Sequence, residues 1–369
     1  MKILIAPNNF KESISASGAA TAIESGIRST FSAADTFCLP LSDGGEGFVD
    51  ALVNATSGSK INGQAQDPLG RTIYSYYGQI DKETAVIEMA LVSGLERLKE
   101  SEKNPWLTTT YGTGQLVKDA IEKGLSKVIM GIGGSATNDA GMGMLQALGV
   151  KFYTRAGDLI TGSGAQYLQE VDHIDPDGLE KSTRGISFVV ACDVTNPLLG
   201  QQGATYVYGP QKGADPDMLK RLETSVLHFH QKSMRQLKID KSRRPGAGAA
   251  GGMGYAMMTY LSAEMQPGFD IVAKHTSLEE KVKWADLIIT GEGKIDDQTA
   301  QGKVISRLAN LTRGHSKRLI VFGGTVENNL AIDGVERYYS VLDRAKDEAD
   351  AMKNAARYLS KMAAELRFL

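Results

Sequence analysis

The sequence predicts an α/β protein with two domains: a discontinuous, Rossmann-like domain with a parallel sheet, and a mixed α/β domain inserted into it. Three observations predict this class. Short apolar strands alternate with amphipathic helices at both ends of the chain, which is typical of βαβ units. The middle of the chain carries alternating segments rich in Tyr, Ile and Thr, which favour antiparallel strands. Glycine, at 41 of 369 residues, clusters at the ends of apolar strands, where α/β proteins bind ligands.

The first segment has the order strand, turn, helix, strand. Residues 2–6 form a largely apolar run. Ser13 or Ser15 can cap the helix that follows, because its apolar residues recur at helical spacing as far as Phe31. Residues 37–41 are the next predicted strand, and a second helix follows the glycines after it.

The middle segment contains two kinds of sequence pattern, alternating runs and continuous apolar runs. Alternating patterns predict antiparallel strands at residues 60–64, 71–79 and 84–89. A helix near residues 114–123 then leads to a buried strand at 127–130, and another apolar strand covers 186–192. Residues 245–254 form a glycine-rich stretch that precedes a further helix.

The βα rhythm returns near residue 270. Apolar runs predict three strands, at residues 287–289, 318–322 and 338–342. The last helix carries apolar residues at helical spacing from Met352 to Leu366. With the first two strands, these would form one parallel sheet with helices on both faces. We therefore expect residues 1–60 plus 265–369 to form the Rossmann-like domain and residues 61–264 the inserted domain, with the active site in the cleft between them.

The composition excludes several classes of function. The formal net charge is −2 and no basic stripe occurs, which argues against nucleic acid or anionic lipid as a partner. No run approaches the roughly 18 apolar residues of a membrane span. Cys38 and Cys192 are too few and too far apart for a metal or disulfide framework, which favours a reducing compartment. We expect a cytoplasmic protein.

Two polar clusters follow the first two predicted strands. The first, PNNFKES, places Lys11 near a helix N-terminus, where a lysine and helix amides can bind an anion. A capped turn with a surface lysine is the alternative. The second, Asp43-Gly44-Gly45-Glu46-Gly47, sets two carboxylates among three glycines. That is costly unless a cation or substrate uses them, and a turn capped by Asp43 is the alternative.

The third cluster, GIGGSATNDAG at residues 131–141, combines open backbone amides with two hydroxyls and a carboxylate. Phosphate oxygens and Mg²⁺ need these groups. It is not a P-loop, because GxxxxGK[ST] is absent from the chain. The fourth, GEGKIDDQT from Gly291, sets carboxylates and lysine on one loop. Tight packing and a solvated loop are the respective alternatives.

Three further segments are each as well explained by an ordinary turn: DVTNP from Asp193, GPQKG from Gly209 and PGAGAAGG from Pro245. The five histidines lie outside every cluster, and no GxSxG elbow is paired with a suitable histidine. The remaining groups, oxygen-rich and glycine-rich, suit phosphoryl transfer, which needs amides and cations around the phosphates and carboxylates for the metal and the hydroxyl proton.

Nine motifs occur in a fixed order: PNNFKES, SDGGEG, IEMA, TTTYGTGQL, GIGGSATNDAG, ACDVTNPL, GPQKGA, PGAGAAGG and TGEGKIDDQ. Together they resemble the bacterial glycerate kinase type 1 family, the glycerate 2-kinases, from residue 1 to about residue 325. The chain departs from the family pattern at Asn8 and Asn9, where Asp and Ser are more usual, and at Ala140 and Lys294, where Gly and Arg are. A carboxylate at position 8 is therefore not the base here.

The resemblance implies ATP- and Mg²⁺-dependent phosphorylation of D-glycerate at O2, giving 2-phosphoglycerate. The small-molecule substrate and ATP are then the partners, and a homodimer is left open. We assign Asp43, Asp193 and Asp296 to the magnesium and the acceptor hydroxyl, one of them as base, and the metal set as Asp43, Glu46 and Asp193. Lys11 and Lys212 would hold the glycerate carboxylate or the transferring phosphate. Substrate or nucleotide contacts are further assigned to Asn8, Gly133, Gly134, Ser135, Asn138, Gly291 and Glu292.

Two alternatives remain at this point. One is a kinase of another small hydroxy acid or sugar acid, since the stretch from Pro245 faintly resembles the phosphate loop of another kinase superfamily. The other is a non-catalytic sensor of a hydroxy acid. The density of carboxylates argues against the sensor, because a site that binds an anionic hydroxy acid would be expected to carry mainly cationic side chains.

Overall fold

A computed structural model describes residues 1–300, 304–327 and 330–367. The strands, in chain order, are β1 Lys2–Ile5, β2 Asp35–Cys38, β3 Ser59–Gln66, β4 Thr72–Gln79, β5 Thr84–Glu88, β6 Lys127–Gly131, β7 Lys151–Tyr153, β8 His173–Asp175, β9 Ser187–Ala191, β10 Glu264–Gln266, β11 Leu287–Ile295, β12 Arg318–Val326 and β13 Arg337–Ser340.

The α-helices, in the same order, are α1 Ala16–Thr30, α2 Phe48–Thr56, α3 Ala90–Ser93, α4 Tyr111–Glu122, α5 Met142–Ala147, α6 Asp177–Ser182, α7 Ala204–Tyr208, α8 Pro216–Leu237, α9 Ala249–Tyr260, α10 Gly268–His275, α11 Leu278–Trp284, α12 Asp297–Ala300, α13 Val304–Gly314, α14 Glu348–Lys353 and α15 Ala355–Ala364. Short 3₁₀ turns cover Leu95–Arg97, Glu100–Glu102, Ala165–Glu170, Pro210–Lys212 and Leu342–Arg344.

Two compact units divide the chain. Unit 1 contains Met1–Asp43, Asp50–Ala55 and Phe269–Leu369, and unit 2 contains Gly44–Val49 and Thr56–Gly268. The α/β class predicted from the sequence is confirmed. The domain limits and the cleft expected between the domains stay predictions.

Unit 1 is built on a five-stranded parallel sheet with the order β13-β12-β11-β1-β2. Its interior strand β1 is apolar because it is buried on both faces, and Ile3 pairs with Leu287 on one side and Thr36 on the other. Helices α1 and α15 pack together against one face, where Ile23 and Leu359 are fully buried. Ser15, one of the two predicted caps, accepts a hydrogen bond from the Gly18 amide and so starts α1.

Unit 2 contains a six-stranded mixed sheet with the order β10-β9-β6-β5-β4-β3. Strands β3, β4 and β5 form antiparallel pairs, as their alternating patterns predict, and β5, β6, β9 and β10 run parallel. The interior parallel strands β6 and β9 are largely apolar, and Val128, Met130 and Val190 are fully buried. A separate antiparallel pair joins β7 to β8.

Two predictions about element boundaries are wrong. The last predicted helix is broken at Asn354, whose φ of −112° leaves the helical range and whose Nδ2 donates to the Asp350 carboxylate at 2.7 Å. Strand β11 extends well past residue 289 because glycines in β11 and β12 let the two backbones continue to pair, with Glu292 opposite Gly323. A Cβ on Gly291 would lie only 2.2 Å from the Phe322 carbonyl oxygen.

Within the described ranges, no helix combines the length and the apolar character that crossing a membrane requires.

Gly26 tests the packing of α1 on α15. Alanine normally stabilises a helix interior by about 1 kcal/mol relative to glycine. At position 26, however, a Cβ would lie 2.0 Å from the Ser360 carbonyl oxygen, so the helices must move apart. We expect Gly26→Ala to lower the free energy of unfolding by about 1–3 kcal/mol, as overpacking does, measured by urea denaturation.

The matched control is Gly314→Ala at the end of α13, where an added Cβ meets nothing within 4 Å. This variant should leave the urea midpoint unchanged or raise it. Stabilisation by Gly26→Ala would show that the close approach of the two helices does not constrain unit 1.

Candidate functional site

In unit 1, polar groups gather where the strand order reverses. The chain passes from β1 to β2 on one side, whereas β11 continues to β12 on the other, so the reversal lies between β1 and β11. Open α/β sheets bind ligands outside the carboxyl ends of the strands at such a point. Asn8 and Lys11 follow β1, and the Asn8 amide donates to the Gly291 carbonyl at 2.7 Å.

Lys11 lies at the tip of a tight hairpin. Phe10 and Ile14 exchange backbone hydrogen bonds of 3.0 Å, and Glu12 adopts a φ of +59° within the turn. Lys11 is exposed, and α1 begins only after Ser15, so the helix amides expected beside this lysine lie further along the chain. The Lys11 amide is 3.3 Å from the position of a Cβ on Gly293, which keeps this turn close to the end of β11.

Glu292 and Asp296 are joined through one buried threonine. Thr299 donates its hydroxyl to Glu292 Oε1 at 2.7 Å, and its amide is 3.3 Å from Asp296 Oδ1. Lys294 Nζ lies 3.3 Å from Asp296 Oδ2. Unit 1 therefore brings together five predicted site residues, which are Asn8, Lys11, Gly291, Glu292 and Asp296.

The carboxylates of Glu292 and Asp296, both linked to Thr299, are oxygen donors of the kind that Mg²⁺ takes. No cluster of three or more His, Cys, Asp or Glu ligands occurs among the residues that the structure describes. Mg²⁺ does not require one, since it keeps several waters and binds through one or two carboxylates together with substrate phosphates. Of the residues predicted for the metal, Asp43 belongs to unit 1, whereas Glu46 and Asp193 belong to unit 2.

In unit 2, the centre of the polar groups is the loop of residues 131–141, here called the glycine loop. It leaves the end of β6, exposes Gly134 at its tip with a φ of +74°, and buries every residue from Ser135 to Ala140. The Gly133 amide donates to the Gly44 carbonyl at 3.1 Å. The predicted contact of that amide with phosphate therefore competes with a bond inside the protein.

Glu88 holds the loop of residues 44–47 beside the glycine loop. Its carboxylate is buried at the end of β5 and accepts hydrogen bonds from the amides of Gly47 at 3.2 Å and Val49 at 3.1 Å. Sequence reasoning noted this glutamate only as part of a motif. A single carboxylate at the end of an otherwise uncharged, largely apolar strand was the available signal.

The second glycine-rich stretch supports the first. Ala250, Gly251 and Gly252 adopt consecutive left-handed conformations, with φ of 53°, 67° and 90°. This left-handed turn presses against the glycine loop so closely that a Cβ on Gly251 would lie 2.0 Å from the Thr137 carbonyl oxygen. The Ala140 amide donates to the Gly251 carbonyl at 3.0 Å.

The segment after β9 packs on the same stretch. The Gly248 amide donates to the Asn196 carbonyl at 2.9 Å, and the Asn196 side chain is fixed by Gln202 at 2.8 Å and Tyr208 at 2.6 Å. Asp193, predicted as a candidate base, is exposed just beyond the carboxyl end of β9.

Two buried charged groups anchor the glycine loop. The Asp139 carboxylate accepts hydrogen bonds from the amide and hydroxyl of Thr110 and from the amides of Gly141 and Gly143. Burial raises the pKa of Asp139, and these donors oppose that rise. Lys212 Nζ donates to Ser135 Oγ at 2.9 Å and to the Thr137 carbonyl at 2.7 Å. Burial lowers the pKa of Lys212 to about 7, and the charge of Asp139 acts in the opposite direction.

Two buried oxygens of the glycine loop have no protein partner in the described part of the chain, Thr137 Oγ1 and Asn138 Oδ1. The Asn138 amide nitrogen donates to Thr205 Oγ1 at 3.1 Å. Buried polar atoms rarely stay unpaired, so these oxygens indicate a place for a bound water or ligand group. Unit 2 thus brings together Gly133, Gly134, Ser135, Asn138 and Lys212.

Comparisons with known proteins identify the family of the chain. The model of the glycerate kinase family matches residues 3–368. The chain belongs to the glycerate kinase family. The match extends beyond residue 325, where the resemblance seen in the motifs ends, so the C-terminal elements belong to the family fold as well.

Similar proteins match the chain over nearly their whole length. The chain is 44% identical to "Glycerate kinase" of Bacillus subtilis strain 168, over 99% of this chain and 97% of that protein. It is 42% identical to "Glycerate 2-kinase" of Escherichia coli K12, over 96% and 94%. A solved structure from Salmonella typhimurium LT2, assigned to glycerate kinase 2, superposes with a TM-score of 0.83 at 42% identity, covering 99% of this chain and 96% of that one. The protein is a kinase enzyme.

Gly251 tests the contact between the left-handed turn and the glycine loop. Any residue other than glycine costs about 1 kcal/mol in the left-handed region. Gly251→Ala would add the overlap with the Thr137 carbonyl. We expect Gly251→Ala to lower the free energy of unfolding by about 2 kcal/mol or more beyond the conformational cost, measured by thermal and urea melts.

Gly185→Ala is the matched control, because Gly185 has a φ of +77° and open space around its Cβ position. It should show the conformational cost alone. Equal destabilisation by the two substitutions would mean that the contact with Thr137 contributes nothing.

Proposed function

We propose that the protein transfers the γ-phosphoryl group of ATP to O2 of D-glycerate, giving 2-phosphoglycerate and ADP. The observation that carries this proposal is the 42% identity to "Glycerate 2-kinase" of Escherichia coli over nearly the full length of both proteins. The polar groups at the carboxyl ends of the strands support it, because they supply amides, lysines and carboxylates without any histidine or thiol chemistry.

The transfer is an in-line displacement. The O2 oxygen bonds to the γ-phosphorus, the bond from that phosphorus to the β–γ bridging oxygen breaks, and ADP leaves. The O2 proton passes to a carboxylate, for which Asp43, Asp193 and Asp296 are the candidates. The protein's own contribution is to position the hydroxyl and to place donors around the charge that the phosphoryl oxygens carry.

Magnesium is proposed to be held through Glu292 and Asp296, with Asp43, Glu46 and Asp193 as the remaining carboxylate candidates. When bound, Mg²⁺ neutralises the charge of the β- and γ-phosphates. Lys11, exposed on its hairpin, is proposed to bind an anionic oxygen of the substrates. Gly134, at the exposed tip of the glycine loop, is proposed to offer its amide to a phosphate.

A coupled assay of ADP release with Mg·ATP tests the proposal. D-glycerate should support turnover well above L-glycerate, lactate and sugar acids, and ³¹P NMR of the product should give the resonance of 2-phosphoglycerate. Turnover with a sugar acid but not with glycerate would favour the alternative kinase, and 3-phosphoglycerate as product would exclude transfer to O2. Binding of glycerate without any turnover would indicate a sensor.

Asp193→Asn tests the candidate base in unit 2. Asparagine keeps the shape of the side chain and cannot take up the hydroxyl proton, so we expect kcat to fall by roughly 100-fold or more. The control is Asp217→Asn, which alters an aspartate of α8 whose side chain is 90% exposed. Wild-type turnover in the Asp193 variant would remove this residue from the site.

Gly134→Val tests the glycine loop as a phosphate site. A branched side chain at a φ of +74° blocks the approach to the backbone and strains the turn. We expect the affinity for Mg·ATP to weaken by about 2 kcal/mol, the scale of one or two charge-assisted hydrogen bonds, in calorimetric titrations.

Gly185→Val supplies the control, since Gly185 also has a positive φ and lies in open space. It should lower the melting temperature without changing nucleotide affinity. If Gly134→Val behaves in the same way, the phosphates bind elsewhere.

A further inference from the structure

We infer that Lys212 is a positioning residue, which shapes the glycine loop through hydrogen bonds to Ser135 and Thr137 and does not itself contact glycerate or phosphate. This inference rests on the proposed function, because it concerns the loop that is proposed to meet the transferring phosphate. Lys212 is the only strongly buried lysine among the described residues. Its motif alone does not indicate a positioning role.

Burial is the first argument. Lys212 is 1% exposed, which leaves no path for a substrate to its ammonium group while the fold is intact. Its side chain ends between two loop oxygens, with Nζ at 2.9 Å from Ser135 Oγ and 2.7 Å from the Thr137 carbonyl. A lysine that binds substrate would need at least one open donor facing solvent.

The backbone around Lys212 is built to send its side chain inwards. Lys212 ends a 3₁₀ turn, and its amide donates to the Gly209 carbonyl at 3.0 Å. Gly213 then reverses the chain with a φ of +95°, at a place where a Cβ would lie 2.4 Å from the Lys103 carbonyl oxygen. The glycines of the GPQKG motif therefore serve the turn that orients the lysine.

The contacts of the glycine loop explain why this lysine is needed. Ala136 is held from one direction, because its amide donates to the Ser93 carbonyl and its carbonyl accepts from the Thr108 hydroxyl. Lys212 holds the residues on either side of Ala136, Ser135 and Thr137. Without it, the polar groups of both residues would lose a buried partner, and the exposed tip next to them would lose its support.

The hydrogen bonds do not depend on the charge of Lys212. A neutral amine still carries two N–H groups, which is the number of its acceptors here. Burial lowers the pKa of Lys212 to about 7, and Asp139 is the charged group that opposes this shift. A positioning role therefore persists above neutral pH, whereas a role that uses the positive charge disappears as the pH rises.

The experiment compares Lys212→Met, which removes the donors, with Lys212→Gln, which keeps two neutral N–H donors. Hydrogen exchange of peptides covering residues 131–141 should be roughly tenfold faster in Lys212→Met. Its kcat with D-glycerate should fall roughly 10- to 100-fold, the scale of a misplaced reacting group, with a smaller change in the KM for glycerate. Lys212→Gln should recover part of both losses.

Lys232→Met is the matched control in the same unit. Lys232 lies on α8, away from the glycine loop, and forms an ion pair with Asp172 at 2.6 Å. It should leave exchange of residues 131–141 and kcat unchanged. Should Lys212→Met fail to fold, Ser135→Ala removes one of the two acceptors, and faster exchange of the loop is again expected.

The pH profile separates the two roles. The ratio of kcat/KM in wild type to that in Lys212→Gln should stay constant from pH 6 to pH 9 if Lys212 only positions the loop. A ratio that falls as the pH rises through about 7, the pKa of Lys212, would show that its charge acts on the reaction and would overturn the inference.

Unchanged loop exchange in a folded Lys212→Met variant would overturn the inference as well. The exchange measurement does not need the substrate. A wild-type enzyme that fails to phosphorylate glycerate would therefore disprove the proposed function and leave the positioning role to be decided by exchange.

Discussion

The architecture of unit 2 depends on one contact between two stretches of backbone, that of Gly251 with the carbonyl of Thr137. Three consecutive left-handed residues bring the chain to this point, and only glycine allows so close an approach. The contact fixes the far side of the glycine loop, and the Gly133 amide is tied to Gly44 on its near side. The exposed tip at Gly134 is thereby presented from a rigid base.

Three charged side chains of unit 2 make their hydrogen bonds to the protein and not to solvent. Glu88, Asp139 and Lys212 are all buried. The two carboxylates accept hydrogen bonds from loop amides and a hydroxyl, and Lys212 donates to a hydroxyl and a carbonyl. Burying a charge is costly unless its bonds are satisfied, so such groups persist where a unique loop shape is required. The charged residues that are candidates for chemistry, such as Lys11 and Asp193, are instead exposed and lie on other turns.

Much of the fold could be predicted from the sequence because burial imposes regular patterns on it. Apolar runs identify β1, β6 and β9, and alternation identifies β3 and β4. The extension of β11 was missed because residues 291–294 are Gly, Glu, Gly and Lys, which carry no strand pattern. They continue the strand because they pair with β12, where Glu292 lies opposite Gly323 and Lys294 opposite Thr325. The break at Asn354 depends on one side-chain bond inside a continuous apolar periodicity.

The motifs of the candidate site could be predicted from the sequence, but the contacts between those motifs could not. Nothing in the order of the motifs reveals that the stretch from Pro245 supports the glycine loop, or that Glu88 fixes residues 44–47, since these are contacts between distant segments. The same is true of Lys212. Its residue type suggests an anion site, and only its burial indicates another task.

The left-handed turn also has a consequence for how the protein is made. The glycine loop leaves the ribosome well before residues 250–252, which complete its support, and contacts so far apart in sequence form late because of the entropy of closing the intervening chain. The loop therefore acquires its shape only when unit 2 is nearly whole. A chain truncated before the turn would retain five of the six strands of this sheet, all except β10, and would lack the residues that support the glycine loop.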